Sequence, residues 1–213
     1  MIDMVIVGFG GHAKSVADSL VKSGKYRIAG YTDVADRNTQ YRYFGTDDVL
    51  ADLFEKGIRD AAIGVGYLGG SDTRDNIVSR LKQIGYHLPS IIDPTASLAE
   101  DAVIGEGTFV GKNAVVNANA RVGNYGIINS GAIVEHDCVI GDYCHVAIGV
   151  AVCGEAVIGD HTLIGANATV LQCRKVGNHC VIGAGSTVLA DVKDHTKCFG
   201  IVADSAKEQS DAP

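Results

Sequence analysis

The sequence predicts an α/β module followed by a parallel β-helix, and three observations predict it. Every sixth residue from position 98 to 188 is aliphatic, running through Leu98, Ile104, Val110 and Val116 to Val176, Ile182 and Val188, with no step slipping. Two places before most of these stands a small side chain, as at Ala102, Thr108, Ala114, Cys138, Cys144, Ala156 and Ser186. Ahead of that stretch, residues 4–8 read Met-Val-Ile-Val-Gly and lead through Phe9-Gly10-Gly11-His12 into a helical pattern.

The module spans residues 1–92. Its first strand is apolar throughout, which suits a buried parallel strand. Strand, glycine turn and helix in that order point backbone N–H groups and a helix N-terminus at a phosphate. Gly8, Gly10 and Ala13 satisfy a loose G-x-G-x-x-A, a pattern that glycines making only a turn also satisfy. A second strand over 27–32 ends at Asp33, near where a ribose-binding carboxylate sits in a dinucleotide fold. Residues 45–58 read as helix, and 60–65 as a third strand entering Gly66-Tyr67-Leu68-Gly69-Gly70. An amphipathic helix follows from Ser71, its expected cap. The sum is a Rossmann-like β-α-β-α-β-α module, one mononucleotide-binding half. A dehydrogenase is disfavoured, because nothing after residue 92 reads as a substrate domain.

The second domain spans residues 93–190. A period of six fits neither an amphipathic helix nor an alternating strand. It fits short strands joined by sharp corners, with one large aliphatic and one small residue inward per segment. Three segments close a triangular turn of eighteen residues, so these hexapeptide repeats make about five turns. Residues 191–213 read as an extension folding back over the last turn, then a polar tail.

Composition narrows the function classes. The net charge is −7, with 11 basic and 11 acidic side chains in residues 1–92 and 7 and 14 after them. Neither half carries the basic stripe that nucleic-acid binding needs. No apolar run reaches membrane-span length and the start lacks a basic signal-peptide head, so the expectation is a cytoplasmic protein with no membrane span. Cys138, Cys144 and Cys180 fall in the small inward register and read as reduced core residues, and no C-x-x-C spacing suggests zinc.

Chemistry is expected where polar residues interrupt the repeat. Glu135-His136-Asp137 is the densest such segment, and the register turns His136 outward near a corner. Asp137 beside it is placed to orient the imidazole and raise its basicity. His145 lies half a turn on, so neighbouring chains packed side by side bring the two histidines together. His161 and His179 stack one turn apart with Tyr143 before them; with no third ligand apparent, a packing ladder is favoured over a metal. Arg174 occupies a register otherwise filled by small residues and cannot point inward without cost.

A β-α-β-α-β-α module with G-x-G-G-H, followed by six-residue repeats containing E-H-D-C-V-I-G-D-Y-C-H-V, resembles the NeuD/PglD-like sugar O-/N-acetyltransferases over residues 1–202. That resemblance implies a left-handed parallel β-helix, acetyl-CoA as co-substrate, no metal, and a homotrimer with active sites between subunits. It implies His136 as catalytic base with Asp137 orienting it, and His145, Gly154, Ala166 and Ala184 as acetyl-CoA contacts. It implies Gly8, Gly10, Gly11, His12, Asp33, Gly66 and Tyr67 as contacts to a nucleotide-linked amino sugar. Two departures stand out: Gly66-Tyr67-Leu68 replaces the common Gly-Asn-Asn, and Ile201-Val202-Ala203-Asp204 replaces V-P-A-K.

The expected activity is acetyl-CoA-dependent N-acetylation of the 4-amino group of a nucleotide-linked 4-amino-4,6-dideoxy sugar. The enzymatic alternative is O-acetylation of sialic acid or another sugar hydroxyl, which needs no nucleotide-binding module. The non-enzymatic alternative, a trimeric nucleotide-sugar-binding scaffold, gives no reason for histidines to interrupt the repeat.

Overall fold

The computed structural model describes residues 1–69 and 72–203; the expected cap Ser71 and the tail beyond 203 lie outside them. Strands β1 (Ile2–Val7), β2 (Tyr26–Thr32), β3 (Tyr43–Gly45) and β4 (Asp60–Ile63) form one parallel sheet in the order β3-β2-β1-β4. Helices α1 (Gly11–Ser23), α2 (Leu50–Glu55) and α3 (Thr73–Ile84) complete the module. The sequence reading has no β3, because three residues are too few to show a period. The chain leaves β1 first toward β2 and later toward β4, so the crevice at the C-terminal end of β1 is the switch point where such sheets bind ligands.

From Ile91 the chain winds as a triangular coil with three parallel faces. The first includes Ile91–Ile92, Phe109–Val110, Ile127–Ile128, His145–Val146 and Leu163–Ile164. The second runs from Ser97–Leu98 through Ile133–Val134 to Ile201–Val202, and the third from Val103–Ile104 through Val139–Ile140 to Lys175–Val176. Partners are eighteen residues apart, as in Ile127 with His145 and His145 with Leu163. The inward aliphatics and the small residues between them, Cys138, Cys144 and Cys180 included, form one buried core. Each buried valine or isoleucine contributes roughly 1.5–3 kcal/mol.

The C-terminal extension corrects the sequence reading. Residues 191–202 do not fold back; they wind on as a further turn, with Val192 bridging Val176 and Lys197–Cys198 and Ile201–Val202 pairing with the turn before. Two shortened corners hide this: the inward residues Val188 and Val192, and again Cys198 and Val202, are four apart rather than six. The first and second faces therefore carry seven strands each, and the coil makes about six turns rather than five.

The module sits on the first face, which is why the large apolar residues that face turns outward are buried. Phe109 and Ile127 point away from the coil core yet are buried, packed with Met4, Ile6 and Phe9. Ser19 Oγ donates to the buried Asp93 carboxylate at 2.6 Å, and Lys112 reaches Asp18 at 2.8 Å. The other two faces are open, exposing Val103, Ile133 and Val139.

Candidate active site

The glycine turn after β1 is built for close backbone approach. Gly8 has φ +79°, and a Cβ there would lie 2.4 Å from the Val65 side chain, so only glycine lets the two loops touch. Gly10 caps α1 with no side-chain hydrogen bond, and Gly11 opens the helix with no acidic residue in its first turn. The N-terminal amides of α1 therefore have no side-chain cap. Gly8, Gly10, Gly11, His12, Asp33 and Gly66 all line one cavity of about 230 Å³, as do Arg37 and Val65. Asp33 is already engaged: Phe9 N–H donates to Oδ2 at 2.8 Å, and the Arg37 guanidinium forks onto both oxygens at 2.8 and 2.9 Å. The Arg37 guanidinium holds this carboxyl below its usual range. His12 stands edge-on to Phe109 at 5.2 Å. Burial, with Arg74 and His145 nearby, pushes its pKa down to about 3, and Nε2 has no hydrogen-bond partner among the described residues.

His145 lies under the module, on the covered face. Its Nδ1 is 2.6 Å from the Tyr67 carbonyl and its Nε2 is 3.1 Å from Asn129 Nδ2. A carbonyl only accepts, so Nδ1 carries the proton and Nε2 accepts from the amide. Burial lowers the pKa of this ring and keeps it neutral.

His136 stands at the far corner, between the two open faces and across the triangle from the module. Glu135 and Asp137 flank it, and Asp137 takes the left-handed corner at φ 60°. His136 Nδ1–H donates to Asp137 Oδ2 at 2.9 Å, while Asn119 Nδ2 donates to Oδ1 at 2.7 Å. The pair leaves Nε2 as the proton acceptor, and the hydrogen bond to Asp137 raises the imidazole pKa. The ring rests on Gly154, one turn on: a Cβ there would sit 2.6 Å from Nε2. The Gly154 N–H makes no hydrogen bond among the described residues.

Residues 3–81 match the PglD N-terminal domain, and residues 87–174 the GMPPB C-terminal domain. A comparison with curated protein sequences finds no match. Among solved structures, PerB from Caulobacter crescentus in complex with CoA and GDP-perosamine is 31% identical, over 93% of this chain and 94% of that one, with a TM-score of 0.87. A histidine-to-alanine mutant of GDP-perosamine N-acetyltransferase from Caulobacter crescentus is 30% identical over 93% of both chains, with a TM-score of 0.88. The acetyltransferase domain of PglB from Neisseria gonorrhoeae is 29% identical over 94% and 97%, with a TM-score of 0.86. The chain belongs to the NeuD/PglD-like sugar acetyltransferase family.

Membership in these acetyltransferases makes the coil a left-handed β-helix and the protein an acyltransferase. The structure distributes the predicted site residues over four places. Gly8, Gly10, Gly11, His12, Asp33 and Gly66 converge at the module crevice, and Tyr67 joins His145 on the covered face. His136, Asp137 and Gly154 form the far corner. Ala166 and Ala184 stand apart from these, at the corner between the first and second faces. Arg174 is partly exposed and turns toward Asp191, at 4.0 Å. The histidine ladder is longer than the repeat suggests: Tyr143, His161, His179 and His195 stack at 4.7, 4.8 and 5.0 Å, within 6° of parallel. Sequence reasoning missed Asn129, Arg37 and Arg74. Asn129 had a signal, being polar directly after the inward Ile128 at the register Glu135 fills after Val134.

Proposed function

We propose that the protein transfers the acetyl group of acetyl-CoA to the 4-amino group of a nucleotide-linked 4-amino-4,6-dideoxy sugar. The carrying observation is the exposed His136–Asp137 pair over Gly154, with one ring nitrogen held by a carboxylate and the other left as base. The solved relatives bound to CoA with GDP-perosamine, or to acetyl coenzyme A, support both substrates. In the reaction, the sugar amine attacks the thioester carbonyl as His136 Nε2 takes its proton. The C–N bond forms, the oxyanion is stabilised by the Gly154 N–H, and the C–S bond then breaks. The imidazolium returns its proton to the departing CoA sulfur. Asp137 stabilises that imidazolium, and no acyl-enzyme is needed.

Placement of the two halves supports assembly from several chains. The module crevice and His136 lie on opposite sides of one triangular coil, so a sugar held by one chain reaches the base of a neighbour. Three coils packed by their open faces, where Val103, Ile133 and Val139 are exposed, complete the site as a trimer.

The test is CoA release, followed with a thiol reagent, from acetyl-CoA and UDP-, dTDP- and GDP-linked 4-amino-4,6-dideoxy sugars, beside free sialic acid. Turnover of one amino sugar, lost in His136→Ala, is expected. Turnover of sialic acid alone replaces this reading with O-acetylation.

A further inference from the structure

Arg74, the second residue of α3, is 2% exposed, and among the described residues both of its hydrogen-bond partners are main-chain carbonyls. Nε–H donates to Tyr125 O in the coil at 2.7 Å, and Nη1–H to Val65 O in the loop after β4 at 2.5 Å. Nη2 has no partner among the described residues. A guanidinium buried on carbonyls alone is costly, and an uncharged residue of similar volume would avoid that cost. The cation is therefore retained for what it holds.

It holds the loop that walls the substrate crevice. Val65 and Gly66 line the cavity beside Gly8 and His12, and a Cβ on Gly66 would come within 3.6 Å of the His12 side chain. One residue further, Tyr67 continues the attachment: its hydroxyl donates to His161 O at 2.8 Å, and its carbonyl accepts from His145 Nδ1 at 2.6 Å. The loop is thus tied to Tyr125, His145 and His161, three points on successive turns of the coil. At this loop the sequence departs from the family's Gly-Asn-Asn, so this chain's wall is set by its own contacts.

We propose that Arg74 is a positioning residue for the acceptor: it fastens the loop of residues 64–69 to the coil and so sets the width of the nucleotide-sugar crevice. This rests on the acetyl-transfer reading above. Arg74 touches neither the thioester nor His136, so its effect falls on one substrate only.

The test uses the full chain with acetyl-CoA and GDP-perosamine as probes. Arg74→Met is expected to raise KM for the amino sugar about tenfold, as losing a charged hydrogen bond at the wall implies, while KM for acetyl-CoA stays within about twofold. Hydrogen–deuterium exchange over residues 64–69 should quicken in the same variant, and Arg74→Lys should fall between it and the wild type in both readouts. A purely structural arginine would lower the melting temperature without splitting the two KM values. Equal KM shifts for both substrates, or unchanged exchange at the loop, overturn the proposal. If Arg74→Met does not fold, Arg74→Lys decides by the same readouts. If the wild type acetylates no amino sugar, the acetyl-transfer reading falls, and exchange at 64–69 still decides whether Arg74 holds the loop.

Discussion

One repeat carries two histidines into opposite situations. His145 faces the module and is buried, its ring pinned between the Tyr67 carbonyl and the Asn129 amide and kept neutral by desolvation. His136 faces solvent from the far corner, and the hydrogen bond it donates to Asp137 raises its pKa. His145 immediately precedes the inward Val146 on a strand and His136 follows the inward Val134 by two at a corner, so each has an inward valine beside it and that neighbour does not decide the chemistry. What covers the face decides it. A histidine under the module has both ring nitrogens held by the protein, and one at an open corner keeps a lone pair facing solvent.

Exchanging the losses is the strongest way to break this comparison. His136→Ala should lower kcat by about 10²–10⁴-fold with little change in melting temperature, because an exposed ring contributes little packing. Thermal melting beside steady-state kinetics checks both halves. Gly154→Ala should come next, at about 10²-fold in kcat, since its Cβ would lie 2.6 Å from Nε2 and the base must move to admit it. Unchanged kcat in that variant would detach the His136 ring position from catalysis.

His145→Ala sharpens the contrast from the other side. It removes the ring's hydrogen bond to the Tyr67 carbonyl and takes the acceptor from the half-buried Asn129 amide, so it should cost about 1–3 kcal/mol of stability, read by denaturant titration. The buried rings also set the sign of the pH response. His12, at about 3, and His145 have folded pKa values below the ordinary 6.5, so the unfolded chain binds more protons once pH falls under that value. Their contribution is therefore complete above 6.5 and is lost progressively on acidification. Asp137→Asn is the smaller catalytic change, about tenfold in kcat. His136 titrates above its ordinary 6.5 while the carboxylate stays, so the acid limb of kcat/KM should move down in the variant, and a limb that stays put would separate Asp137 from the base.

How much of this was legible follows from the same division. Residues that repeat were readable: the inward aliphatics, the small register and the outward turn of His136 all come from counting by six. The coil's last turn was hidden because the corners after Val188 and Cys198 are two residues short, which a fixed period cannot follow. Arg74 was unreadable for another reason. As the second residue of an amphipathic helix it looks like a solvated charge, and only the docked coil supplies Tyr125 O and closes the burial around it. Asp33 was found but its engagement was not, since Arg37 is just one of several charges following β2. The contacts that fix this loop on the coil, Arg74 with Tyr125 and Tyr67 with His161, join residues 51 and 94 positions apart, and no local pattern encodes them.

The smallest expected effect lies at the third corner, where rings stack on one another. Tyr143, His161, His179 and His195 all hold the left-handed conformation, with φ from 53° to 58°. That conformation costs an ordinary side chain roughly 1–2 kcal/mol, and asparagine tolerates it better. Each parallel ring contact returns roughly 0.5–1.5 kcal/mol. His179→Asn removes two such contacts, at 4.8 and 5.0 Å, and relieves the backbone at once. The two terms nearly cancel, so stability should change by less than about 1 kcal/mol and kcat not at all. A larger loss, measured by denaturant titration, would mean that the ladder holds the C-terminal turns together and that this corner is a structural spine as strong as the covered face.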